Sequence, residues 1–293
     1  MMSDPGGVMI AVLAALAAAG SFGVAAALQH RQAQLAPKAG AVPFRLLASL
    51  ARRPLWLAGI ALAAGGYGLQ ALALAFGPLA LVAPIVATDL LLALPVAAGL
   101  SGRPLGSREW LGCALAAGGV AVFLATSPPA SGRSDASPRA WMLAFGTVAL
   151  ISVMAVMLGR RGDGPARTGL TAAAAGVVFG LTAAVTLSFT RLLRAEGLAG
   201  SLAHWQPWAL LTLGLGGLLL SASAFQAGAL TSSLPIIDTV EPASGVLIGI
   251  LIFGERLAAA PAVVAVQLAG AVAAVAGIAL LGRPAPAAAA VAR

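Results

Sequence analysis

The chain has 293 residues, of which 60% are apolar and 9% charged, against about 25% charged in an ordinary soluble domain. Those proportions exclude a water-soluble globule. The net charge of +8 comes from seventeen basic and nine acidic residues; they sit in short segments between apolar runs and form no basic helical face, which points to membrane topology and anionic lipid rather than to nucleic acid. A single cysteine, Cys113, excludes an internal disulfide and a multi-cysteine metal site.

A bilayer-spanning helix needs about 20 apolar residues, so nine spans fit the length with short loops. The 36 glycines supply the small residues that let membrane helices approach closely. In chain order, an N-terminal tail (1–7) carries Asp4 and no Lys or Arg, and the apolar stretch behind it is longer than a signal-peptide core, so the first helix is expected to be retained. Spans are expected at about 8–29, 54–77, 79–100, 107–126, 140–158, 168–190, 206–228, 232–253 and 259–281. The segment 30–53 holds Pro37, Pro43 and five basic residues and reads as a loop, with a short surface helix near Phe44 to Leu50. Gly77-Pro78 and Thr231-Ser232-Ser233 are links short enough to force antiparallel hairpins.

Basic loops are retained in the cytoplasm. Arg31, Lys38, Arg45, Arg52, Arg53, Arg103, Arg108, Arg160, Arg161, Arg167, Arg283 and Arg293 fall on one side; Arg133, Arg139, Arg191, Arg194 and Arg256 fall on the other. The asymmetry places the N-terminus outside and the C-terminus in the cytoplasm of a multi-pass cell-membrane protein.

Trp56 to Thr126 and Trp208 to Gly282 share an order: a Trp-led helix ending at Gly, a tight link, a helix opening on Pro, a polar break and a Gly-spaced helix. Gly77 and Pro84 match Gly228 and Pro235; Gly112 and Gly119 match Gly270 and Gly277. The odd number of spans between equivalents makes the halves opposite in orientation, and such repeats place a binding site near the midplane on broken helices. The expected fold is an all-α polytopic membrane protein with about nine transmembrane helices in two inverted-topology repeats. The first repeat covers 8–126 (four helices, basic loop 30–53), a linker covers 127–139, the second repeat covers 140–282 (five helices), and a tail covers 283–293.

The segment Leu234-Pro235-Ile236-Ile237-Asp238-Thr239-Val240-Glu241-Pro242, then Leu251-Ile252-Phe253-Gly254-Glu255-Arg256-Leu257 and a Gly-spaced last helix, resembles the end of the drug/metabolite transporter (DMT) superfamily in its EamA-like form. The first half is similar to the NIPA-like magnesium transporter branch. The residues that carry this are Ser21-Phe22-Gly23-Val24 with Leu28-Gln29-His30-Arg31, Trp56 with Gly59, and Phe76-Gly77-Pro78-Leu79-Ala80-Leu81-Val82-Ala83-Pro84. Nine spans are usual in that branch. The resemblance implies a transporter and, through the NIPA-like branch, Mg²⁺ as a substrate.

Acids inside spans cost about 2.5 to 3.5 kcal/mol on insertion scales and need a reason. Three qualify: Asp89, Asp238 and Glu241. Asp238 and Glu241 share a helix face at i, i+3, between Pro235 and Pro242, and each proline frees a backbone carbonyl one turn earlier. Asp89 follows Pro84 in the matching helix, so all three are expected around one cavity, where they bind a cation or take up protons. The competing account is a protonated carboxyl bonded to a nearby Thr or Ser. Tyr67, Gln70 and Gln226 are candidate polar lining, with packing or interhelical hydrogen bonding as the alternative. His30 is expected at the interface, His204 with Trp205 and Trp208 in the outer aromatic belt, and Glu255 in an interfacial pair with Arg256.

No phosphate loop, His-Glu-x-x-His or Gly-x-Ser-x-Gly occurs. The only lysine lies in a loop, and neither Asp89 nor Asp238 has the surroundings of an intramembrane aspartyl protease. The sequence therefore reads as a non-enzymatic transporter without cofactor, moving a small solute by alternating access, with proton coupling as an option. The alternative is a NIPA-like divalent-cation transporter with Asp238 and Glu241 as Mg²⁺ ligands. Its partners are the substrate and the bilayer, and a homodimer is compatible with it. Reporter fusions test the topology: a fluorescent protein fused after Arg293 is expected to fluoresce and a phosphatase there to stay inactive, whereas the reverse would invert the assignment.

Overall fold

The computed structural model describes residues 5–37, 43–77, 79–102, 105–126, 136–254 and 260–282. Every regular element among them is a helix: α1 (Pro5–Leu35), α2 (Pro43–Leu50), α3 (Pro54–Phe76), α4 (Leu79–Val86), α5 (Asp89–Ser101), α6 (Ser107–Ala125), α7 (Pro138–Arg161), α8 (Gly164–Ser201), α9 (Gln206–Ala227), α10 (Leu230–Phe253) and α11 (Pro261–Gly282). Among the described residues nine helical segments are long and apolar enough to cross a bilayer, with α4 and α5 joined in one broken span, Leu81–Ser101. The count agrees with the sequence expectation, and the reason is general: lipid offers the backbone no substitute hydrogen-bond partner, so each span satisfies its own. Lys38, Arg103-Pro104, the linker residues 127–135, the expected Glu255–Arg256 pair and the tail 283–293 lie outside the described residues.

Local sequence sets the ends. Prolines sit in the first turn of α3, α7, α8 and α9, where the missing N–H would have no intrahelical partner anyway. Glycines close α3, α5, α7, α9 and α10; Gly102 (φ 69°) and Gly254 (φ 65°) take the left-handed conformation that other residues avoid. Two helices run further than their apolar stretches. α1 begins at Pro5, inside the expected tail, and continues past residue 29 to Leu35 because its last turns are tied to neighbouring segments by side-chain hydrogen bonds. α8 runs unbroken from Gly164 to Glu196, about 50 Å at 1.5 Å per residue and well beyond the roughly 30 Å hydrocarbon core, before a kink at Gly197 (φ 70°) that precedes its last turn to Ser201.

The expected span at 79–100 is two helices. Pro84 lies within α4, and the chain tightens at Ala87–Thr88, where Thr88 donates to Ile85 O (2.6 Å) and Leu91 N bonds Thr88 O (2.9 Å). α5 therefore starts at Asp89, inside the membrane span.

α1 packs along α3 and α5, α8 packs along α9 and α10, and α6 pairs with α11. Bare backbone makes these contacts possible. A Cβ on Gly23 would lie 2.7 Å from Asp89 O and 2.8 Å from Ala93 N, and one on Gly180 would lie 2.8 Å from Glu241 O and 2.8 Å from Gly245 N. Between α6 and α11, a Cβ on Gly112 would meet Gly277 O at 3.1 Å, and one on Gly270 would meet Gly119 O at 2.8 Å.

Neighbouring glycines of α6 make this testable. Gly119 abuts Gly270 O and the Ala274 backbone, with Ala274 N 2.5 Å from a built Cβ, while Gly118 has nothing within 4 Å. Gly119→Val is expected to lower stability by about 1 to 3 kcal/mol through overpacking, read as a lower unfolding temperature in detergent. Gly118→Val is expected to leave that temperature unchanged.

Candidate functional site

The three intramembrane acids stand on two helices, each pressed by a glycine of a long neighbour. Asp89 opens α5 directly beneath Gly23 of α1; Glu241 lies on α10 directly beneath Gly180 of α8. The residue before each of these glycines is a phenylalanine. Phe22 fills the space over Gly66 of α3, and Phe179 fills the space over Gly217 of α9, each ring within 3 Å of where a Cβ would stand. Ser244 links α10 to α8, donating within reach of Glu241 O (2.9 Å) and Gly176 O (3.3 Å).

This scaffold brings Asp89, Asp238 and Glu241 within electrostatic range of one another. All three are half-buried. Asp89 Oδ1 accepts from Leu90 N at 2.7 Å, at the exposed N-terminus of α5. Asp238 Oδ2 and the Thr239 hydroxyl are buried with no hydrogen-bond partner among the described residues. No Lys, Arg or His among the described residues is ion-paired with any of the three; the pair found is His204–Glu196, 2.9 Å, at the far end of α8. A buried polar atom without a partner costs about 1 to 3 kcal/mol; water, a proton or a hydrated cation can each supply a partner here.

The remaining candidates fall in different places. Tyr67 is 63% exposed, stands edge-on to Phe22 with ring centroids 4.9 Å apart, and lies within electrostatic range of Asp89 and Glu241. Gln70 is half-buried three residues further along α3. Gln226 lies near the end of α9, where its amide donates to Pro37 O (3.1 Å) and faces Ala33 O and Ala36 O (3.4 Å each). His30 is half-buried at the level where α9 ends, against the ring of Phe225 (5.8 Å), with Nε2 3.1 Å from Gly228 O. Cys113 donates to Leu90 O at 3.3 Å and lies within electrostatic range of Asp89 and Asp238. Among the described residues no group of three His, Cys, Asp or Glu side chains is arranged to hold a metal ion directly. Phe22-Gly23, which carries part of the family resemblance, and Phe179-Gly180 position the site in a way the sequence alone did not assign; the signal is one dipeptide shared by the long helices α1 and α8.

Three comparisons bear on identity. The model of the family described as "Magnesium transporter NIPA" matches residues 3–160, which contain Tyr67, Gln70 and Asp89, while Asp238 and Glu241 lie beyond it. The chain is similar to an uncharacterized protein of Corynebacterium glutamicum, 29% identical over 256 residues that make up 85% of this chain and 86% of the relative. No solved structure matches. An apolar nine-span chain whose matched half supplies an intramembrane acid to an unpaired cluster is a membrane transporter, and it belongs to the NIPA magnesium transporter family.

Proposed function

We propose that the chain carries Mg²⁺ or a similar divalent cation into the cell through the site formed by Asp89, Asp238 and Glu241. One observation carries the reading: three carboxyls share a half-buried site with no basic side chain paired to them among the described residues. Mg²⁺ dehydrates reluctantly and is normally held by one or two carboxylates with several waters. Asp238 and Glu241 therefore serve as its ligands, with Asp89 facing the ion through water. Tyr67 and Gln70 offer polar contacts to its shell.

The driving force is sufficient without coupling. A charge crossing 100 mV gains about 2.3 kcal/mol, so a dication gains about 4.6 kcal/mol, a gradient of a little over three orders of magnitude.

Alternating access between two inverted repeats would move the site from one face to the other. Paired contacts support the repeat reading. Gly23 on Asp89 corresponds to Gly180 on Glu241, Phe22 over Gly66 to Phe179 over Gly217, and Gly112 against Gly277 to Gly119 against Gly270. In this scheme α1, α3, α4–α5 and α6 (within 8–126) correspond to α8, α9, α10 and α11, and α7 opens the stretch 140–282 as a helix outside the correspondence.

The organic-solute reading uses the same acids as proton carriers, and substitution separates the two. Glu241→Gln is expected to abolish Mg²⁺ uptake into vesicles, at least about tenfold, while leaving proton flux untouched. Proton-coupled export would instead lose its dependence on the pH gradient. If Asp89→Asn, Asp238→Asn and Glu241→Gln together leave every flux unchanged, the site is wrong.

A further inference from the structure

The buried apolar residues are distributed unequally between the two ends of the bundle. At the end that carries Arg31, Arg53, Arg108 and Arg160, here the basic end, they form clusters that join both halves of the chain. One unites Leu90 and Leu94 of α5 and Cys113 of α6 with Phe225 of α9 and Leu234 and Ile237 of α10, all at most 5% exposed. A second packs Leu46, Leu50 and Trp56 against Ala222 of α9. At the opposite end the clusters separate: Ala14, Ala15, Ala73 and Val82 lie in the first half, and Trp141, Leu181, Val185 and Ile252 lie with the second. The acids lie between, above the joined cluster.

Polar groups reinforce the joined end in a reciprocal manner. His30 Nε2 and Gln34 Nε2, on the last turns of α1, reach carbonyls at the end of α9: Gly228 O at 3.1 and 2.9 Å, and Phe225 O at 2.5 Å from Gln34. Because a carbonyl only accepts, His30 carries its hydrogen on Nε2. Gln226 of α9 answers by donating to Pro37 O beyond the end of α1, beside Ala33 O and Ala36 O. The last carbonyls of a helix have no intrahelical partner, so each helix end supplies donors to the other's orphans. A cavity of about 310 Å³ opens beneath this junction, lined by His30, Gln34, Leu94, Ser101 and Leu230.

We infer that this structure is the state closed at the basic end, and that His30, Gln34 and Gln226 form the latch of its gate. The leucine and isoleucine layer is the seal, and the latch holds α1 to α9 over it. The latch side chains are two amides and an imidazole bonded to carbonyls, with Arg31 and Glu109 lining the cavity beside them. Parting the two helices leaves their C-terminal carbonyls, the negative ends of both dipoles, facing the passage. The inference rests on the transporter reading but not on which ion is carried.

The native thiol reports on it. Cys113 is the chain's only cysteine and is 1% exposed within the seal. Reconstituted protein is treated with a membrane-impermeant maleimide applied to one face at a time. Wild-type Cys113 is expected to label slowly from either face. His30→Ala with Gln34→Ala is expected to label about tenfold faster from the basic face only, the factor for roughly 1.4 kcal/mol of latch energy. His30→Gln, which keeps a donor near the position of Nε2, is expected to stay at the wild-type rate. An unchanged rate in the double variant overturns the latch, and so does acceleration from both faces, since that reports a loosened bundle. Labelling needs no substrate: loss of the gating effect with Mg²⁺ uptake intact rejects the gate alone, and gating without Mg²⁺ uptake rejects the ion assignment alone.

Discussion

Hydrocarbon leaves no polar atom a default partner, and that constraint orders most of what this molecule does. The backbone meets it by forming helices; Ser and Thr side chains meet it by bonding carbonyls within their own helix, as Thr182 and Thr186 do at 2.8 Å; the helix ends meet it with glycines, prolines and amides from other segments. Asp238 and Thr239 do not meet it within the described residues. A carboxylate cluster left without bases in such a medium is costly in isolation, and in the proposed function a passing cation relieves that cost.

Close backbone approach is the means by which the cluster is built. Without side chains at Gly23 and Gly180, α1 and α8 can lie directly on the turns of α5 and α10 that carry Asp89 and Glu241. The same economy at Gly112, Gly119, Gly270 and Gly277 lets α6 and α11 run in contact along much of their length. Small contact surfaces of this kind hold helices by packing and not by a hydrophobic force.

Much of the fold was legible in the sequence because the bilayer reduces the alphabet: nine apolar runs, tight Gly-Pro and Ser-rich links, and acids that stand out against a background nearly free of charge. The abundance of glycine was also readable as close helix contact, which the structure places at Gly112 against Gly277 and at Gly119 against Gly270. Side-chain direction at helix ends was less legible. For Gln226 the apolar run left polar lining and interhelical hydrogen bonding both open; its place in the last turn of α9 sends its amide to the last carbonyls around α1. Nothing in the sequence pattern signalled that His30 would meet Gly228 O and the ring of Phe225 across the helix boundary. The break before Asp89 needed more than Pro84, which lies inside α4; the Thr88 hydroxyl competing for Ile85 O is a local bond that no hydrophobic pattern encodes.

The central claim is that the unpaired acids pass a divalent cation driven by charge alone. Purified protein in proteoliposomes enclosing a Mg²⁺-sensitive dye, with an imposed potential and equal pH on both sides, tests it most directly. The account expects Mg²⁺ entry that rises with an inside-negative potential and leaves the internal pH unchanged. Absence of entry under that potential, or entry only when a pH gradient is added, would contradict it.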